Sequence, residues 1–238
     1  MASSASTSVR GWRRYGLFIF GCACLPRAHA VVPPTPSGAI RALAQDHVVF
    51  DESAGIPSPL NTPSILSLEG GRLVAASERG GVNSEWRRQG NAWARIATSD
   101  DGGRSWNVRA TPNISQARLF RAGRSLYYLG HDGDLKIMRS DDRGDSWSAP
   151  VGLGTGKPNW YATACNVWHA KGSVYLVMER RVHEDNRSGW TIGNLAPVLL
   201  RAREQDDLTR PGSWTYASEL AFSDLMPGYR ENAPVTDL

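Results

Sequence analysis

Short apolar runs of four to eight residues recur along the chain, each closed by Gly, Pro, Asp or Asn. Runs of that length, bounded by turn residues, predict strands rather than packed helices. One such run repeats. Gly71-Arg72-Leu73-Val74-Ala75-Ala76-Ser77-Glu78-Arg79 is matched by Gly123-Arg124-Ser125-Leu126-Tyr127-Tyr128-Leu129-Gly130-His131. It is matched again by Gly172-Ser173-Val174-Tyr175-Leu176-Val177-Met178-Glu179-Arg180. The leading glycines lie 52 and 49 residues apart. A period near fifty, with several strands per unit, predicts a β-propeller in an all-β chain.

A second repeat runs in phase with the first. Ser99-Asp100-Asp101-Gly102-Gly103-Arg104-Ser105-Trp106 recurs 41 residues later as Ser140-Asp141-Asp142-Arg143-Gly144-Asp145-Ser146-Trp147, with six of eight positions identical. Three units follow from the two repeats. The first has strands near 62–68, 72–78, 94–99 and 106–110, and the second near 116–121, 125–130, 135–140 and 147–150. The third has strands near 162–169, 173–179, 195–202 and 213–220, with Trp214 in place of the repeat tryptophan. A fourth unit starts at Glu231. Blade boundaries are expected near 55–111, 112–155 and 156–222, with the next blade starting at 229–238.

Antiparallel strands send their loops alternately to two faces. Strand 1–2 turns and strand 3–4 hairpins share one face. Strand 2–3 loops and the starts of first strands share the other, where charge concentrates. That second face is the expected pocket face. It would carry Asn61, Gln116, Arg118, Tyr161, Thr163 and Glu231 from first strands. Its loops would add Glu78, Arg79, Glu85, Arg87 and Arg88, then His131 and Asp132, then Glu179, Arg180, Arg181, His183, Glu184 and Asp185. The Glu78-Arg79 and Glu179-Arg180 neighbours are read either as site charges or as ion pairs closing strand ends. Trp86, Trp93, Trp160, Tyr161 and Trp190 near this face are candidates for stacking on sugar rings, set against simple packing.

Composition refines this picture. Hydrophobic residues are 41% and charged residues 21%, which fits a globular chain. The net charge of +4 comes from Arg10, Arg13, Arg14 and Arg27; the rest carries 23 basic and 23 acidic residues. A neutral folded part argues against a nucleic-acid or anionic-membrane partner. The same arginines precede the apolar run Tyr15–Leu25, too short for a membrane span, and Ala28-His29-Ala30 fits a small-x-small cleavage pattern. Residues 1–30 are expected to be an export signal, cleaved after Ala30, with a Pro-rich leader over 31–54. Removal of Cys22 and Cys24 with the signal would leave Cys165, which permits no intramolecular disulfide and no cysteine-based metal site.

The eight-residue repeats resemble the Asp box, or bacterial neuraminidase repeat, of sialidases and related six-bladed propellers. The resemblance implies rigid hairpins in which Ser99, Asp101, Gly103, Trp106 and their partners Ser140, Asp142, Gly144, Trp147 have structural roles. It extends to Asn61-Thr62-Pro63-Ser64-Ile65, Gly70-Gly71-Arg72-Leu73-Val74-Ala75 and Glu78-Arg79, similar to the opening blade of a sialidase. Glu231-Asn232-Ala233-Pro234-Val235 is similar to the family segment bearing the glutamate that activates a tyrosine nucleophile. The family implies three arginines for a sugar carboxylate and an aspartate acid. The first arginine would fall at Asn61. Residues 80–95 hold no Asp, so Glu85 is the one carboxylate there.

On this resemblance Glu231 and Glu85 are the catalytic candidates. Asn61, Arg79, Arg118, Asp132, Glu179 and Arg181 are the substrate-binding candidates. The implied activity is that of an exported glycoside hydrolase of exo-α-sialidase type, needing no cofactor or metal and monomeric at full length. The alternative is a non-catalytic propeller that binds a glycan or a protein. Three blades and one strand cannot close a ring of six, so the chain is expected to be the N-terminal portion of a longer propeller.

Overall fold

The structure, a computed structural model, describes residues 60–80, 85–161, 167–182 and 195–225. Its regular structure is almost entirely β. Strands β1 (Leu60–Ser67), β2 (Leu73–Arg79), β3 (Ala94–Ser99) and β4 (Asn107–Ala110) form one antiparallel sheet in chain order. Strands β5 (Ser115–Ala122), β6 (Ser125–Asp132), β7 (Asp134–Ser140) and β8 (Val151–Gly152) form a second in the same order. The third comprises β9 (Trp160–Tyr161), β10 (Trp168–Ala170), β11 (Ser173–Arg181), β12 (Leu195–Arg203) and β13 (Trp214–Tyr216). There β9 and β10 pair with opposite ends of β11 along one edge, so together they fill the first-strand position. Two one-turn helices, α1 (Glu85–Arg88) and α2 (Phe222–Leu225), complete the elements used below.

The three sheets are blades that pack face to face in sequence. Pleating sends alternate side chains of β6 to opposite faces. Leu126 and Tyr128 join Val74, Ala76 and Ile96 of the first sheet, while Tyr127 and Leu129 join Val174, Leu176 and Met178 of the third. A strand buried on both faces must be apolar throughout, which explains the run Leu126-Tyr127-Tyr128-Leu129. Each fully buried Leu or Ile in these seams contributes roughly 1.5–3 kcal/mol. The fold is all-β, with the architecture of an incomplete propeller.

The sequence placed most strands within two residues, with three differences. The last strand of the second blade lies at Val151–Gly152, not 147–150, because Ser148 still hydrogen-bonds across to Arg139 through both its N–H and its hydroxyl. The last strand of the third blade stops at Tyr216. The loop after β2 contains α1, whose four residues are too few to leave a periodic signature. Residues 1–59, Thr163, Cys165, His183, Glu184, Asp185, Trp190 and the expected fourth-blade start at 229–238 with Glu231 lie outside the described residues. Among the described residues no helix is long and apolar enough to cross a membrane.

The two Ser-Asp repeats are the β3–β4 and β7–β8 hairpins, and they are superimposable in their bonding. Ser99 Oγ accepts from Gly103 N–H at 2.8 Å and donates to Asp101 at 2.8 Å; Ser140 Oγ does the same with Gly144 and Asp142 at the same distances. Asp101 and Asp142 each accept a backbone N–H and a hydroxyl, from Ser105 and Ser146. Gly103 and Gly144 sit at φ of 88° and 91°, where a side chain is strained. The β7–β8 hairpin also reaches back to the first blade: Asp145 bonds Arg72 at 2.9 Å and pairs with Arg109 at 2.9 Å. Arg72 also lies 3.3 Å from Asp100, tying both hairpins to the β1–β2 turn.

Candidate functional site

The opposite end of the blades is built by two bulges. Register slips between Asn61 and Ser64 in β1, and between Ser115 and Arg118 in β5. Each slip holds a non-glycine residue at positive φ, Thr62 at 44° and Gln116 at 48°. Such bulges re-aim side chains and backbone groups at strand ends. Gly130 on β6 makes the second one possible, since a Cβ there would meet the Ser115 carbonyl at 2.3 Å.

Both bulges converge on Glu78, which is buried at the end of β2. Thr62 Oγ1 donates to Glu78 Oε2 at 3.0 Å and Gln116 N–H donates to the same oxygen at 2.9 Å. Arg87, carried in by α1 and also buried, takes the other oxygen. The Arg87 guanidinium further donates to Ser115 Oγ at 2.6 Å and to the Gly80 carbonyl at 3.1 Å, under the ring of Trp93 at 4.6 Å. A buried ion pair of this kind is secured by its extra hydrogen bonds, and removing one partner typically costs about 3–5 kcal/mol.

Pairing puts Glu78 opposite Asn61, His131 opposite Ser115, and Glu179 opposite Tyr161. Counted through the bulges, Glu78, His131 and Glu179 therefore occupy one register position in three successive blades. His131 Nε2 donates to Gln116 Oε1 at 3.0 Å, and its ring lies 5.6 Å from Tyr161. Burial, aided by the Arg87 charge, pushes the imidazole down to about 4, so it is neutral at physiological pH. Glu179 is half-buried, and burial alone pushes its carboxyl above the usual range. The Arg181 guanidinium lies over Tyr161 at 5.3 Å, and that of Arg79 over Trp86 at 5.4 Å.

The expected pocket-face residues fall into three groups. Asn61, Arg79, Glu179 and Arg181 sit at this end of the blades, as does Asp132, which is exposed and paired with Lys136 at 2.5 Å. Arg118 lies farther along β5, its Nη1 on the Pro63 carbonyl at 2.7 Å, in a groove of about 430 Å³ along the first strands. Glu85 is exposed on α1 and paired with Arg88 at 2.8 Å, which lowers its carboxyl below the usual range. A proton donor needs the opposite shift. The neighbour ion pairs are also corrected. Glu78 binds Arg87 rather than Arg79, and Arg180 binds Glu219 rather than Glu179, because adjacent strand residues point to opposite faces. Trp160 is a core residue, with Nε1 bonded to Thr155 at 3.0 Å. Sequence reading left Arg87 and His131 without assigned roles; the sequence repeat matched His131 with Arg79 and Arg180, one residue off the register that strand pairing gives, and nothing local marked Arg87 as buried.

No protein-family model matches the chain, and no curated protein matches it. Solved structures do. An α-L-arabinofuranosidase of Fusarium graminearum, in complex with an iminosugar inhibitor, is 16% identical with a TM-score of 0.42, over 67% of this chain and 47% of that one. An α-L-arabinofuranosidase of Lactobacillus brevis is 18% identical with a TM-score of 0.44, over 67% and 55%. A Dyadobacter fermentans protein of unknown function is 16% identical with a TM-score of 0.43, over 68% and 55%. The chain spans about half the length of these structures. The two enzymes are described as arabinofuranosidases, whereas the sequence motifs resemble those of sialidases.

Proposed function

We propose that the protein is an exported glycoside hydrolase that binds its glycan at the end of the blades opposite the Ser-Asp hairpins. The observation that carries this reading is the three-blade set Glu78, His131 and Glu179, held at one register position beside Arg79, Arg181, Trp86 and Tyr161. A sugar needs flat aromatic surface and a few fixed polar groups, and this end supplies both. Glu78 and Arg87 neutralise each other and fix the bulges. Glu179 is the described carboxyl most disposed to keep its proton, because burial disfavours its anion. A retained proton there suits protonation of a departing glycosidic oxygen.

The sialidase type is the finer part of the proposal. Arg79 and Arg181 would grip a sugar carboxylate through forked donors. Glu231, by resemblance, would draw the proton from a tyrosine nucleophile. A second reading is favoured by Asn61, which stands where the resemblance calls for an arginine, and by the ion-paired Glu85. On that reading the same end binds a glycan without cleaving it.

The test uses the secreted protein against alkyl glycosides, whose leaving groups depart only when protonated, a sialoside and an arabinofuranoside among them. Sialoside hydrolysis that Glu179→Gln slows by about 100-fold or more, with KM little changed, supports the enzyme reading. Saturable glycan binding without turnover selects the second reading. Neither turnover nor binding sinks both.

A further inference from the structure

One ring nitrogen of His131 is bonded and the other is not. The residue is only 5% exposed, and Nε2 lies 3.0 Å from Gln116 Oε1. At neutral pH the ring is uncharged, because burial and then the Arg87 charge push it down to about 4. It therefore carries a single N–H. An amide oxygen can only accept, so that hydrogen sits on Nε2. Nδ1 is left with a lone pair, and among the described residues nothing donates to it.

Gln116 is itself fixed from the first blade. It sits at φ 48° inside the β5 bulge, with its own N–H on Glu78 Oε2 at 2.9 Å. Glu78 is held by Thr62 at 3.0 Å and by Arg87, which also reaches Ser115, next to Gln116, at 2.6 Å. The bulge depends on Gly130, next to His131, where a Cβ would meet the Ser115 carbonyl at 2.3 Å. A chain of bonds thus aims one amide oxygen at one ring nitrogen. The same ring lies 5.6 Å from Tyr161 of the third blade, which in turn carries the Arg181 guanidinium at 5.3 Å.

We propose that Gln116 is a positioning residue that locks His131 as the Nε2–H tautomer, so that Nδ1 accepts a hydrogen bond from a hydroxyl of the bound glycan. This rests on the reading that this end of the blades binds a glycan, and it assigns one contact within that site. A lone pair on Nδ1 selects a donor, which a sugar hydroxyl is. An ionised carboxylate has no hydrogen to offer it and belongs beside Arg79 or Arg181 instead.

The test is nitrogen NMR of the imidazole in the whole chain at neutral pH. The wild-type ring should show a bare Nδ1 and a protonated Nε2 whose hydrogen exchanges slowly enough to be seen. Gln116→Gly keeps the positive φ and the N–H to Glu78 but removes the acceptor, so the Nε2–H signal should vanish into solvent exchange. Thr62→Gly removes a bond to the same Glu78 and should leave the signal in place, which separates positioning from a general loosening of the bulges. Saturation with an alkyl sialoside or arabinofuranoside should move the Nδ1 resonance, and Gln116→Gly should weaken that binding about tenfold, the worth of one hydrogen bond. The wild-type spectrum alone decides the tautomer should either variant fail to fold. A hydrogen on Nδ1, or an Nε2–H signal that survives Gln116→Gly, overturns the proposal, while the glycan reading stands as long as a glycoside binds. A bound glycoside that leaves Nδ1 unmoved overturns it too. An intact Nε2–H signal with neither glycoside bound refutes the glycan reading, and the hydroxyl contact with it.

Discussion

His131 shows how one residue's environment sets a measurable property. Its ring is enclosed between Gln116 and Tyr161 and faces the Arg87 cation, so the folded protein resists protonating it until about pH 4. An unfolded histidine takes its proton near 6.5. Below 6.5 the unfolded chain therefore binds a proton that the folded chain does not, and the contribution of His131 to stability falls as pH drops from about 6.5 to 4. Urea midpoints measured across that window should decline, and His131→Gln should flatten the decline. A decline of the same steepness in the variant would assign it to other groups.

At the scale of the element, the Ser-Asp hairpins are self-contained. Ser140 is buried, and its hydroxyl is the acceptor for the Gly144 N–H at 2.8 Å. Ser140→Ala strands that donor, which should cost about 1–3 kcal/mol in denaturant unfolding. Binding or turnover per folded molecule should not change, because the hairpin lies at the other end of the blade from Glu78. The same bonds hold the hairpin carboxylates ionised. Asp142 is lowered to about 2, chiefly by the Ser146 hydroxyl, and Asp101 is lowered by Ser105. Depressed acids stabilise the fold above the unfolded carboxylate range, and that contribution disappears as pH falls from about 4 toward 2.

Across the whole molecule, stability resides in the seams between blades. Ile137 is fully buried among residues of the second and third sheets. Ile137→Ala removes atoms from a seam whose backbones are fixed by their own ladders and cannot close the gap, so a loss of about 2–5 kcal/mol is expected in thermal or denaturant unfolding. A loss below 1 kcal/mol would mean that the seam is loosely packed. The blade seam is also where the site is assembled, since Glu78 of the first blade takes the Gln116 N–H of the second.

The strands, their order and the two faces were legible in the sequence, because β-structure is written in local alternation and turn residues, and the repeats set the phase. The Ser-Asp hairpins were legible too, since their bonds run within eight residues. Arg87 was not, because its partners Glu78 and Ser115 lie 9 and 28 residues away and α1 is too short to announce itself. Nor was the fate of neighbouring charges. Glu78 and Arg79 are adjacent in sequence, but the pleat turns one into a blade seam and the other toward Trp86. Composition and spacing determined which end of the blades is charged. Tertiary packing decided which of those charges are buried, paired or left with a proton, because desolvation depends on what a neighbouring blade places overhead.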